Sequence, residues 1–302
     1  MSVVLIIIII LILALAVFTA RVVFELNNFS FSRYTIRSAK IRPGDNIRIA
    51  FISDLHSRKF GDYNRKLIRR IAGKKPDFII LGGDMITYSS FSNDFNAMDA
   101  IDGLSDVAPV YYAPGNHETK ISMNRKMAER FDEYMDELDS ADVSYLNNRV
   151  ERMGDGITVS GLELGPKYFK KFKRSPKSLS YKALKARLGF IDTKKFNILI
   201  AHKPEYFPCY AKAGYDLILS GHNHGGTVRI PGKGGLISPD LTFFPKYCYG
   251  AFRRDRSVMI VSRGIGSHGI NIRLNNKPEL IFIDIKGVPA AGRAVRKKGA
   301  VV

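Results

Sequence analysis

The apolar residues of this chain fall into one long run followed by a regular succession of short ones. Val3–Phe18 is unbroken apolar sequence, extended by Thr19 and Ala20 before the first charge at Arg21. About 20 such residues cross a bilayer core, so the run predicts a membrane-spanning helix over residues 1–20. Ala14-Leu15-Ala16 resembles a signal-peptide processing site, which makes a cleaved leader the rival reading. No lysine or arginine precedes the run, whereas a secretory leader normally begins with one, and this favours an uncleaved anchor. Residues 21–45 then read as a connector ending at the turn signal Arg42-Pro43-Gly44-Asp45.

The short runs beyond Asp45 are β-branched and bounded by glycine and polar residues, the pattern of buried strands. They are Ile47–Ile52, Asp77–Leu81, Pro109–Ala113, Phe196–Ala201, Tyr215–Ser220, Ser257–Ser262 and Leu280–Ile285, the last two expected to complete a second sheet. Between them, Leu67, Ile68, Ile71 and Ala72 stand at helical spacing, a softer helix is expected near 93–105, and Met123, Met127, Phe131, Met135 and Leu138 mark an amphipathic helix. The methionines suit core filling. From Val143 the pattern turns to hairpins, including Gly156–Gly161. Strand-to-helix alternation predicts a layered α/β domain over 46–286, and the basic residues beyond it (Arg293, Arg296, Lys297, Lys298) a disordered tail over 287–302.

Charge narrows the partners. A formal net charge of +19 on 302 residues calls for an anionic one: a phosphorylated substrate, an acidic membrane surface or nucleic acid. Arg21, Arg33, Arg37, Lys40 and Arg42 all follow the apolar run, with Glu25 the lone nearby acid, and the positive-inside rule puts the body on the cytoplasmic side. Segment 167–187 carries nine lysines and arginines, no acid, and Tyr168, Phe169, Phe172 and Tyr181 interleaved. It reads either as a solvated basic face or as a flap that meets anionic lipid or covers a phosphorylated substrate. No recognised nucleic-acid module accompanies it. The two cysteines, Cys209 and Cys248, stand in no metal-like spacing and suggest no disulfide framework. An aromatic stretch, Phe243, Phe244, Tyr247, Tyr249 and Phe252, reads as a loop that touches lipid or closes the core.

The chemistry lies at the ends of the predicted strands, where open α/β sheets bind ligands. Five of those ends carry metal-type side chains: Asp54 and His56; Asp84; Asn116 and His117; His202; His222 and His224. If Asp54 and His56 continue the extended strand, their alternation points both to one side. Of six histidines, only His268 lies outside such a motif.

The series D-x-H, G-G-D, G-N-H-E, H and G-H-N-H, running from about Ile47 to Ile285, resembles the calcineurin-like metallophosphoesterase superfamily, and its setting behind an apolar N-terminus resembles the bacterial membrane-associated branch. The resemblance implies a four-layer αββα sandwich around two divalent transition-metal ions. Asp54, His56 and His224 would hold the first ion, Asn116, His202 and His222 the second, and Asp84 both. Mixed nitrogen and oxygen donors fit manganese, iron or zinc. The implied reaction is hydrolysis by water activated on the metal pair, with Asn116 and the metals stabilising phosphoryl charge and His117 protonating the leaving oxygen or stabilising the transition state. The glycines at 83, 115 and 221 would allow sharp turns and close backbone approach.

Substrate choice is left open by fold alone. The anchor and the basic surface favour a substrate held at a membrane, and the resemblance to the membrane-associated branch implies a lipid-linked phosphodiester or pyrophosphate such as UDP-2,3-diacylglucosamine. A phosphodiesterase of nucleotides is the second reading, and a non-catalytic, metal-bound membrane scaffold the third.

Overall fold

A computed structural model describes residues 3–91, 96–169, 177–226, 228–230, 232, 234–239, 241–267 and 271–289. Among these residues, two six-stranded sheets lie face to face with helices outside each, the four-layer αββα sandwich. The first sheet has the order β1 (Ser30–Ser38), β14 (Glu279–Gly287), β2 (Asn46–Ile52), β3 (Phe78–Leu81), β4 (Val110–Tyr112), β5 (Val143–Tyr145). The second runs β12 (Gly250–Arg254), β13 (Ser257–Val261), β9 (Leu217–Ser220), β8 (Phe196–Ala201), β7 (Ile157–Leu162), β6 (Arg149–Arg152). A small ribbon pairs β10 (Arg229–Ile230) with β11 (Gly234–Gly235).

The inner strands β2, β3, β8, β9 and β13 are largely apolar because both their faces are covered. In β2, Ile49 and Phe51 enter the layer between the sheets while Ala50 and Ile52 face the outer helices. In β8, Ile198 and Ile200 enter that inner layer while Leu199 and Ala201 face helices on the far side. The period of two thus builds three cores from one kind of run. Helices α2 (Arg65–Ala72), α3 (Asn96–Ser105), α4 (Asn116–Ser122) and α5 (Ala128–Ser140) cover the first sheet, and α6 (Tyr181–Leu188) and α7 (Phe207–Lys212) the second.

Three expectations need correction. Leu280–Ile285 does not complete the second sheet: as β14 it lies in the first, antiparallel to β2 and parallel to β1. Apart from Asp284 the run is apolar and fits the middle of either sheet, so its pattern could not choose. The expected connector, 21–45, carries the end of helix α1 (Val3–Asn27) and the whole of β1. β1 is an edge strand with half-exposed, mixed polarity, which hides its period. The helix expected through Met123 is broken, since α4 ends at Ser122, Met123 is exposed, and the Asn124 side chain accepts the Lys126 N–H before α5 begins. The middle of the basic segment, 170–176, and the tail from 290 lie outside the described residues.

α1 is the one helix among the described residues that is long and apolar enough to cross a membrane. Its apolar part is exposed, but beyond Arg21 it docks on the body through buried Val22, Glu25 and Leu26. The register fixes where it joins. Ser30 pairs with Glu279, and Ile281 pairs with Phe51, so β1 starts beside the carboxyl end of β2. α1 therefore meets the sandwich at the end from which the strand-end motifs project.

Candidate metal centre

β2 stops at Ile52, and the chain that follows is not extended. Asp54 and His56 have φ of +55° and +49°, so their convergence comes from two left-handed residues and not from strand alternation, contrary to the expectation. Asp84 (+52°), His222 (+69°) and His224 (+49°) share this conformation. For residues with a side chain it costs about 1–3 kcal/mol each, and such strain collects at functional sites. The loops compensate by zipping together: Asp54 N–H donates to Gly83 O at 3.0 Å, His56 N–H to Asp84 O at 3.0 Å and Ser57 N–H to Met85 O at 2.8 Å. Two glycines are dictated by close approach. A Cβ on Gly83 would sit 2.8 Å from Gly115 N and 2.9 Å from His202 Nδ1, and one on Gly221 would collide with Ser53 Oγ and Asp54 Oδ2.

The structure brings six of the seven expected ligands, and His117, into contiguous buried groups. Asp54, His56 and His224 form one, Asp84, His202 and His222 a second, and His56, Asp84 and His117 a third that links them. His224 Nε2 is 3.3 Å from Asp54 Oδ1 and 3.0 Å from His56 Nε2. His202 Nε2 is 3.1 Å from Asp84 Oδ2 and 3.7 Å from Asp54 Oδ1. Asp84 thus stands between the groups. Asn116, the seventh, opens α4 beside them, and its Oδ1 is buried without a hydrogen-bond partner. His202 Nε2 is likewise buried and faces Asp84, its ion-pair partner when the ring is charged. An orphaned buried oxygen beside clustered carboxylates and imidazoles fits a cation site, and the mixed nitrogen–oxygen set fits divalent ions.

Outer contacts aim these groups. His202 Nδ1 lies 2.7 Å from Gly82 O, which places a proton there and turns Nε2 as a lone pair to the carboxylates when the ring is neutral. His117 Nδ1 accepts the Tyr88 N–H at 2.9 Å, which leaves the ring's proton on Nε2, 4.0 Å from Asp84 Oδ2. Burial, then the neighbouring His224, push the pKa of His56 well below its usual value. Burial, then Arg273, do the same to His224. Burial also opposes charge on His202, but Asp84 and Asp54 outweigh it and raise its pKa to about 10. Asp84 shows the converse: burial opposes its charge, yet His202 and His117 hold its pKa well below the carboxylate range. The first group is therefore ready to ligate at neutral pH, whereas the second must lose a proton.

Several residues to which the sequence assigned no role are central here. Glu118 is fully buried and accepts from Asp84 N (3.0 Å), Gly115 N (2.8 Å), Met85 N (2.8 Å), Ile86 N (3.3 Å) and Tyr112 Oη (2.7 Å), so it ties the Asp84 loop to the Asn116 turn. Burial, then Asp84, push its pKa up. The signal was present in G-N-H-E, where glutamate at the third helical position can reach back to the N–H of the N-cap Gly115. Lys203 is buried with Nζ 3.3 Å from His222 Nε2 and 5.1 Å from the centre of the Phe169 ring. Phe169 packs edge-on against His222, so the start of the basic segment lies on the second group. Phe243 and Phe244 are exposed, while Tyr247 and Phe252 pack on the core beneath the second sheet.

The sequence model of the calcineurin-like phosphoesterases matches residues 47–226, more than half of the chain. The chain belongs to that family. As a calcineurin-like phosphoesterase it is a metal-dependent enzyme, and the family uses divalent ions. An uncharacterized metallophosphoesterase of Aquifex aeolicus (strain VF5) is 26% identical over 268 residues, 84% of this chain and 91% of its own length. Phosphodiesterase YaeI of Escherichia coli (strain K12) is 26% identical over 250 residues, 79% of this chain and 82% of its own. Among solved structures, TT1561 of Thermus thermophilus is a distant likeness, with a TM-score of 0.45 at 12% identity over 73% of this chain and 91% of that one.

Proposed function

We propose that this phosphoesterase hydrolyses a phosphodiester or pyrophosphate bond in a lipid-linked substrate presented at a membrane. The observation that carries the reading is topological: α1 joins the sandwich at the same end as the ligand groups, so a bilayer crossed by α1 would lie on the side of the site. Val3–Ala20, at 1.5 Å per residue, spans about 27 Å, close to a bilayer core. The net charge of +19 favours an anionic headgroup and an anionic surface, with the body on the cytoplasmic side. The name of the YaeI relative favours a diester.

In this reading Asp54, His56 and His224 hold one ion, Asn116, His202 and His222 the other, and Asp84 both, with manganese, iron or zinc as the metals. Such a pair supplies Lewis acidity toward a phosphoryl oxygen and lowers the pKa of water. Asn116 also helps to stabilise charge on the phosphoryl oxygens. Glu118 holds the Asp84 loop and the Asn116 turn in register, so both ligand groups keep their spacing. His117 presents the Nε2 proton on the inner side, where it can pass to a leaving oxygen or hydrogen-bond to it. Lys203 adds a buried ammonium that can meet a second phosphate of a pyrophosphate.

The test is turnover by the full chain in mixed micelles, comparing UDP-2,3-diacylglucosamine and other lipid-linked nucleotides with head-group-matched soluble diesters. The expected result is a higher kcat/KM with the lipid. Equal values point to a phosphodiesterase of soluble nucleotides. Two bound ions without turnover of any ester, bis-p-nitrophenyl phosphate included, point to a scaffold.

A further inference from the structure

We propose that Glu25, in the last turn of α1, is a positioning residue for the loop that carries His224, so that the apolar helix is a working part of the metal centre as well as a tether. Glu25 is fully buried. A carboxylate at the end of an apolar helix is desolvated at considerable cost unless it is paired and hydrogen-bonded. Here its Oε1 meets Arg21 at 2.8 Å, and its Oε2 accepts the backbone N–H of Asn276 at 2.8 Å.

Asn276 passes the restraint on. It is fully buried, and its Nδ2 donates to His224 O at 2.8 Å and to Gly226 O at 3.2 Å, bracketing the turn after the ligand. That turn needs outside support. His224, Gly225 and Gly226 have φ of +49°, +68° and +69°, three consecutive left-handed residues. Gly225 lies so close that a Cβ there would be 2.6 Å from Asn276 Oδ1. Arg273, also buried, donates to Asn276 O at 3.0 Å and to Arg263 O at 3.0 Å, which fixes the Asn276 strap from its other side. The path from α1 to the first ligand group is thus Glu25, Asn276 and the His224 peptide, two hydrogen bonds long.

The inference rests on the metal-centre reading above. Outer partners that orient a ligand typically change metal affinity about 10–100-fold when removed. The test titrates the chelator-stripped full chain in detergent micelles with Mn²⁺ by calorimetry. Wild type should bind two ions. Glu25→Ala should lose about 10–100-fold in affinity for one ion and leave the other unchanged, and Asn276→Ala should do the same. Glu25→Gln, which keeps an acceptor for the Asn276 N–H, should stay within a few-fold of wild type. Should Glu25→Ala fail to fold, the contrast between Asn276→Ala and Glu25→Gln carries the test. Wild-type affinity for both ions in Glu25→Ala or Asn276→Ala, or equal weakening of both ions in every variant, overturns the positioning role alone. A wild type that binds no ion overturns the metal-centre reading together with this one.

Discussion

Glu118→Gln is the sharpest probe of how the site is held. The change is nearly isosteric, but it turns one acceptor oxygen into an NH₂ group. If that group replaces Oε2, the N–H donors of Asp84 and Gly115 lose their acceptor; if it replaces Oε1, those of Met85 and Ile86 do. Either way two buried backbone donors are stranded. Each costs about 1–3 kcal/mol, so the substitution should destabilise the protein by about 2–6 kcal/mol. A typical total stability is about 5–15 kcal/mol. For a body of this size each kcal/mol lowers Tm by about 2–4 °C, giving an expected fall of about 4–24 °C. The measurement is thermal unfolding of the full chain in detergent with a chelator present, followed by circular dichroism, with metal content determined in parallel. Because burial and Asp84 both raise the Glu118 pKa, the refuting outcome is specific. A Tm unchanged by the substitution would mean that Glu118 is protonated in the native protein, since glutamine mimics the neutral acid, and that the splint described here does not operate as a charge.

Asp84→Asn should lower metal content and turnover together, as measured by elemental analysis and by hydrolysis of bis-p-nitrophenyl phosphate; two ions with near-normal turnover would remove the shared-ligand role. His117→Ala should lose about 10²–10⁴-fold in activity while keeping its metals, and less with good leaving groups. A loss independent of the leaving group would assign Nε2–H to stabilising phosphoryl charge. Because the metal-free pKa of His202 is raised to about 10, an ion must displace its proton below that pH. Affinity for one ion should therefore rise about tenfold per pH unit from pH 7 to 9, with a proton released; calorimetry in buffers of different ionisation enthalpy measures both, and a flat profile would refute the assignment.

The strands and the chemistry at their ends were legible because both are local signals. A buried strand shows its composition in six residues, and G-G-D or G-N-H-E needs only a few neighbours. Even there, the sequence argument brought Asp54 and His56 together by the wrong geometry, since alternation was assumed where the backbone is left-handed. The sheet that β14 joins was decided by tertiary structure: its apolar residues suit either core, and its pairing with β2 and β1 is what sets it in the first sheet. β1 escaped notice because an edge strand is half exposed and its period is blurred. Glu25 read as a lone acid among basic residues, for its partner Asn276 lies 251 positions away. Short motifs were enough to pick out the side chains that gather in the buried Asp and His groups, because each stands among the few neighbours that mark it. How those side chains are held came mostly from the fold: apart from the local bond between Gly115 and Glu118, the restraints run between distant segments, as from Glu118 to Asp84 and from Glu25 through Asn276 to His224.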